Sequence, residues 1–153
     1  MKKQFLLIVC SFMVSMAFAR DTNRNATYDV ETKTLIFTGG QFNNCFYLPI
    51  EGDLSAFKSL VIDCAKCESS FRVKVTYCDR DGKVQQKDFY QNAKADGGAV
   101  TKSISLIDSD LITNVENIQT VSITSCEGAQ TIVLNSVYLK GKDNIQKVIE
   151  INE

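Results

Sequence analysis

Short runs in which apolar and polar residues alternate follow one another along this chain, and most of them end in turn chemistry. Phe71, Val73, Val75 and Tyr77 alternate strictly with Arg72, Lys74, Thr76 and Cys78, the period of a strand with one buried face. Thr34-Leu35-Ile36-Phe37-Thr38 stops at Gly39-Gly40, and Phe46-Tyr47-Leu48 runs into Pro49, the only proline. Leu60-Val61-Ile62 is a fully apolar triplet. Asp79-Arg80-Asp81-Gly82 turns the chain, as Asp-Gly pairs do in hairpins, and residues 84–90 return as a polar partner strand. Residues 103–107, 121–126 and 131–139 complete the set. Two pieces carry helical signals. Residues 53–57 open on Asp53 as an N-cap for one turn, and residues 110–118 place Leu111, Val115 and Ile118 at helical spacing for two. The pattern predicts an all-β protein: an antiparallel two-sheet β-sandwich of jelly-roll type with one or two short helical turns.

The first residues carry a different signal. Lys2 and Lys3 precede an almost wholly apolar run over residues 5–18, and Ala17-Phe18-Ala19 supplies the small-x-small pattern of a cleavage site. Residues 1–19 are therefore expected to be a secretory signal peptide, which places the protein outside the cell or in the periplasm. The run is too short for a comfortable membrane span, and no later segment replaces it, so no transmembrane segment is expected. Residues 20–140 then form the sandwich, and residues 141–153 read as a polar C-terminal tail. Without the leader the chain keeps 15 cationic side chains against 18 acidic ones, a net charge of −3. A mildly acidic chain without a basic cluster gives nucleic acid nothing to bind.

Five cysteines follow the leader: Cys45, Cys64, Cys67, Cys78 and Cys126. In an oxidising compartment the default is disulfides, with one thiol left over. Cys64-x-x-Cys67 also has the spacing of a redox dithiol, which needs a helix directly behind its first cysteine to lower the thiol pKa. Only Glu68-Ser69-Ser70 separates Cys67 from the next strand, so that helix has no room. A zinc site of Cys64, Cys67, Cys78 and Cys126 lacks a second C-x-x-C, and the chain has no histidine. Strand parity puts Cys78 with Arg72, Lys74 and Thr76, and Cys126 with Ser122 and Thr124. If those strands are neighbours, both thiols share one outer face and are expected to bridge, which stabilises by about 4 kcal/mol in the chain-entropy model. Cys64 is left to join either Cys45 or Cys67.

Absence of histidine removes the commonest general base and the Ser-His and Cys-His nucleophile pairs. Asp79/Asp81 and Asp108/Asp110 are carboxylate pairs, but they lie in turn-like segments where Asp serves local hydrogen bonding. Asp79-x-Asp81-Gly82 matches the start of an EF-hand loop, yet the twelfth position is Tyr90 rather than a bidentate acid. Neither an enzyme nor a cofactor is expected.

Asp53-Leu54-Ser55-Ala56-Phe57-Lys58-Ser59-Leu60-Val61-Ile62 resembles the entry into the core strands of secreted bacterial jelly-roll modules of the galactose-binding-like, carbohydrate-binding type. Lys102-Ser103-Ile104-Ser105-Leu106, Ile118-Gln119-Thr120-Val121-Ser122-Ile123 and the segment 128–139 follow in the same order. The likeness spans roughly residues 34–139. It implies a non-catalytic domain that binds a polysaccharide or glycan, and a structural calcium ion held by loop oxygens. Two features depart from the family pattern: the chain has no tryptophan on which to stack a sugar, and it is expected to stand alone rather than joined to a catalytic domain. Sugar recognition wants an aromatic face beside amides, carboxylates or guanidinium groups. The expected ligand residues are thus Asn43 and Asn44 beside Phe42, Arg72 and Lys74 on the polar side of their strand, and Tyr90 and Asn92 after it. The alternative is a structural or adhesive sandwich whose sheet face meets another protein.

Overall fold

The computed structural model describes residues 22–107 and 112–152. The expected leader, residues 1–19, and Asp108 and Asp110 lie outside the described residues. The chain forms β1 (Ala26–Asp29), β2 (Thr34–Phe37), β3 (Phe46–Leu48), β4 (Phe57–Cys67), β5 (Phe71–Cys78), β6 (Val84–Gln91), β7 (Val100–Ser105), β8 (Ile118–Ser125), β9 (Gln130–Gly141) and β10 (Gln146–Val148). Every strand pairing is antiparallel. One sheet runs β1-β2-β9-β4-β7, with β10 also on β9, and the other runs β3-β8-β5-β6. The order β2-β9-β4-β7 facing β3-β8-β5-β6 is the jelly roll, reached because the chain repeatedly crosses between sheets. Between them Leu35, Phe37, Phe46, Ile62, Phe71 and Ile123 are fully buried, each on the apolar parity of its strand. At one open side Lys102, paired with Ile62, reaches from β7 to the other sheet, where its Nζ donates to the Tyr90 carbonyl at 2.8 Å.

The helical expectations contract to a single 3-10 turn. Asp53 Oδ1 accepts from the Ser55 N–H at 2.8 Å, a local turn, and Phe57 already pairs with Gly141 on β9. Val115–Asn117 is the 3-10 turn, capped by Asn114, whose side chain accepts from the Glu116 N–H. The segment after Gly141, expected as a polar tail, is instead tied down. β10 pairs with β9, the Ile149 N–H donates to the Val137 carbonyl at 2.8 Å, and Ile151 packs into the core.

The cysteines need correction. All five described cysteines are free thiols. Phe71 pairs with Ser125 and Tyr77 with Ile118, so β5 and β8 run in opposite directions. Cys78 therefore lies beside Gln119, whose Nε2 donates to its Sγ at 2.8 Å, while the Cys126 N–H donates to the Ser70 carbonyl at the far end. Roughly seven residues of strand, about 20 Å, separate the two, and the expected Cys78–Cys126 bridge cannot form. Cys64 and Cys67 both point into the core. In a regular strand residues three apart face opposite ways, but β4 pairs Cys64 with Leu134 and Lys66 with Val133. Ala65 is thus an extra bulge residue that returns Cys67 to the buried side.

Candidate functional site

The outer face of the four-stranded sheet carries three of the six residues expected to meet a ligand, Arg72, Lys74 and Tyr90. Arg72 stands opposite Tyr90 on β6 and Thr124 on β8; Lys74 stands opposite Asp88 and Ser122. Strand pairing brings Arg72, Lys74 and Tyr90 together on this face, with Tyr90 exposed. Two of the charges there are spent on one another. Arg72 Nη1 approaches Asp88 Oδ2 at 3.3 Å, and the guanidinium lies over the Phe42 ring, 5.1 Å from its centroid. Ser122 and Thr124 are buried although they face outward. Asn92 is exposed, and its carbonyl accepts from its neighbour Gln91.

The loop before β3 is a brace. Asn44 is fully buried; its Oδ1 accepts from the Ser125 N–H at 2.6 Å, and its Nδ2 donates to the Gly40 carbonyl at 3.1 Å. That side chain is turned away from any ligand. The Asn43 carbonyl accepts from Asn25 Nδ2, and its amide N–H closes a turn onto Gly40. Gly39 is required here, because a Cβ would sit 2.0 Å from the Asn43 carbonyl oxygen.

The opposite outer face, on the six-stranded sheet, holds a shallow groove of about 460 Å³. Its rungs follow from the register. Ser105, Ser59 and Lys140 form one; Ser103, Val61 and Tyr138 the next; Thr101, Asp63 and Ser136 the third. Val61 is buried yet points outward, so it forms the floor beside the half-buried Tyr138 ring. Asp63 accepts from Thr101 Oγ1 at 2.8 Å and from Asn135 Nδ2 at 3.2 Å. Two bulges shape the groove. Lys58 is the extra residue between the Phe57 and Ser59 pairings, and Asn135 the extra residue where β9 passes Asp63. The polar parity of Ser103 and Ser105, and of Ser136, Tyr138 and Lys140 against Val137 and Leu139, was the available signal for this face.

The remaining chemistry is quiet. Burial pushes the Cys64 thiol up to about 12 and the Cys67 thiol up to about 11, the reverse of an activated dithiol. Asp79 accepts from Gln85 Nε2 and from the Lys83 and Asp81 N–H groups, and these bonds hold its carboxyl below the usual range. Its oxygens thus serve the turn. Among the described residues no three His, Cys, Asp or Glu side chains cluster as metal ligands, so the four cysteines do not form the zinc site. Among them, too, no helix is long and apolar enough to cross a membrane.

No protein-family profile matches the chain, and no curated protein matches it. A solved structure similar to it is the family 11 carbohydrate-binding module of the cellulosomal cellulase Lic26A-Cel5E of Clostridium thermocellum. The two are 14% identical with a TM-score of 0.48, over 71% of this chain and 73% of that one.

Proposed function

We propose that the protein is a secreted or periplasmic, non-catalytic carbohydrate-binding module that holds a polysaccharide or glycan in the groove of its six-stranded sheet. The observation that carries this reading is Tyr138, half-buried beside Val61 and flanked on both sides by rungs of hydroxyls. An aromatic face accepts the C–H surface of a pyranose. Serine and threonine hydroxyls both donate and accept, and Lys140 donates, which matches the mixed demands of sugar hydroxyls. The groove volume lies in the range of small-ligand sites. Tyr138, Lys140, Val61 and Ser59 stand on the central strands β9 and β4, and the hydroxyls of β7 stand on the paired edge strand beside them, so little ordering is required on binding.

The test is retention of the protein on a glycan array and in polysaccharide-containing affinity gels. Tyr138→Ala should weaken binding about tenfold, the equivalent of ~1.4 kcal/mol for one lost stacking contact. Tyr90→Ala and Arg72→Ala should leave it unchanged. Binding lost in the latter pair and kept in Tyr138→Ala would move the site to the Arg72–Tyr90 face. The alternative, a structural or adhesive domain, draws on exposed Ile145 and Val148 at β10. It is favoured if no polysaccharide retains the protein.

A further inference from the structure

We infer that the glycan taken by this groove is anionic, with a carboxylate or sulfate on the sugar beside the one that meets Tyr138. The inference rests on the groove being the glycan site and concerns which class of glycan enters it. Lys140 lies two residues from Tyr138 on the same side of β9, about 7 Å along the strand. Lys58 lines the same groove, and its neighbour Ser59 pairs directly with Lys140, so two ammonium groups share one end. The Lys58 Nζ donates to Asn144 Oδ1 at 2.5 Å. That partner is a neutral amide, so it orients the ammonium without neutralising it.

Charge elsewhere sharpens the contrast. The one ion pair among the described residues, Arg72–Asp88, lies on the opposite face. The described side chains lining the groove include two cations and no acid. Nearby carboxylates have other tasks: Asp63 at the far rung is held by Thr101 and Asn135, and Asp143 accepts from the Ile145 N–H. Two adjacent ammonium groups repel each other and are costly to desolvate against a neutral sugar. An anion between them reverses both terms, and Ser59 and Ser105 supply further donors on the same rung. The whole sequence carries an acidic excess, so this end of the groove is a local exception.

The test compares polymers that share a backbone and differ in charge. Polygalacturonate against its fully methyl-esterified form probes the carboxylate, and a sulfated galactan against the desulfated polymer probes the sulfate. Retention of at least one acidic polymer is expected, with its neutral counterpart about tenfold weaker or more. Affinity for the acidic polymer should fall with salt. Lys58→Gln/Lys140→Gln should lose about tenfold for the acidic polymer only and flatten the salt dependence. Both positions are on the surface, and an unchanged thermal midpoint checks the fold. Equal retention of charged and neutral polymers, or indifference to the lysine variants, overturns the inference. The groove reading still stands in that case if Tyr138→Ala weakens binding. Retention lost in Arg72→Ala instead, or on no polymer at all, defeats both.

Discussion

Replacing Asn44 by alanine tests whether the loop before β3 is a brace or a ligand contact. Asn44 is the hub of a buried polar network at one end of the sandwich. Its Oδ1 satisfies the Ser125 N–H at 2.6 Å. Ser125 Oγ donates to the Gly128 carbonyl and accepts from Gln130 Nε2 at 2.8 Å, while Gln130 also bonds the backbone at Ser69 and Ser70. Truncation leaves the buried Ser125 N–H without an acceptor, at about 1–3 kcal/mol, and removes the bond to the Gly40 carbonyl, at about 1 kcal/mol. The Ser125 carbonyl keeps the Phe42 N–H at 3.4 Å, so its loss is small. The expected cost is about 3 kcal/mol, a large share of the 5–15 kcal/mol that roughly bounds a domain of this size. With a urea m-value of about 1.5 kcal/mol/M, the unfolding midpoint should fall by about 2 M. Equilibrium unfolding followed by circular dichroism or tyrosine fluorescence measures it, since the chain has five tyrosines and no tryptophan. Asn43→Ala, at an exposed neighbour, should stay within about 0.5 kcal/mol. A stable Asn44→Ala variant that loses glycan retention would refute the brace and restore Asn44 as a contact.

Two further outcomes follow from burial. Iodoacetamide at pH 8 should modify the half-exposed Cys45 and Cys78 long before Cys64 and Cys67, whose thiolate fractions at about 12 and about 11 are on the order of 10⁻⁴ and 10⁻³. Because those folded thiols sit above their unfolded value, their contribution is fully present below pH ~9 and is lost as pH rises toward 11–12; Cys64→Val should flatten that decline in a urea series. Ile151→Ala should cost about 2 kcal/mol in the same unfolding assay, and a change near zero would mean that the C-terminal segment is not docked on the core.

Alternation along single strands was legible, and what depends on pairing was not. β3 and β5 match their apolar–polar runs because the register of each is carried by its own residues. β4 reads as only three apolar residues, since alternation breaks at the bulges around Lys58 and Ala65, and those bulges exist only against β9, some seventy residues away. The same limit produced the error over the cysteines. Parity correctly put Cys78 on the outer face, but parity is blind to direction, and the last residues of two antiparallel neighbours lie at opposite ends. β10 has three exposed residues and hence no burial pattern to read, whereas Ile149 and Ile151 beyond it were apolar signals in a polar context. Of the candidate residues, Arg72, Lys74 and Tyr90 come together only through the β5–β6 register, which the sequence left open. Asn44 differs because an amide in a turn looks the same in sequence whether it faces water or the core.

The two outer faces dispose of charge differently, and this decides which of them is fit to receive a ligand. On the four-stranded sheet a sugar would have to compete for Arg72 and Asp88, whose side chains are only 17% and 27% exposed and already committed to each other. Separating such a pair leaves partly desolvated charges behind, and part of any new interaction is used in replacing the old one. Arg72 Nε and Asp88 Oδ1 are buried with no described partner. On the six-stranded sheet Tyr138, Val61 and the serine hydroxyls face solvent across a groove, and a ligand need displace only water. Both faces obey the same strand alternation. The difference arises from an acid on β6 opposite Lys74 in one case, and from serines on β4 and β7 beside Lys140 in the other. An ion pair occupies one face, and among the described residues the other carries none.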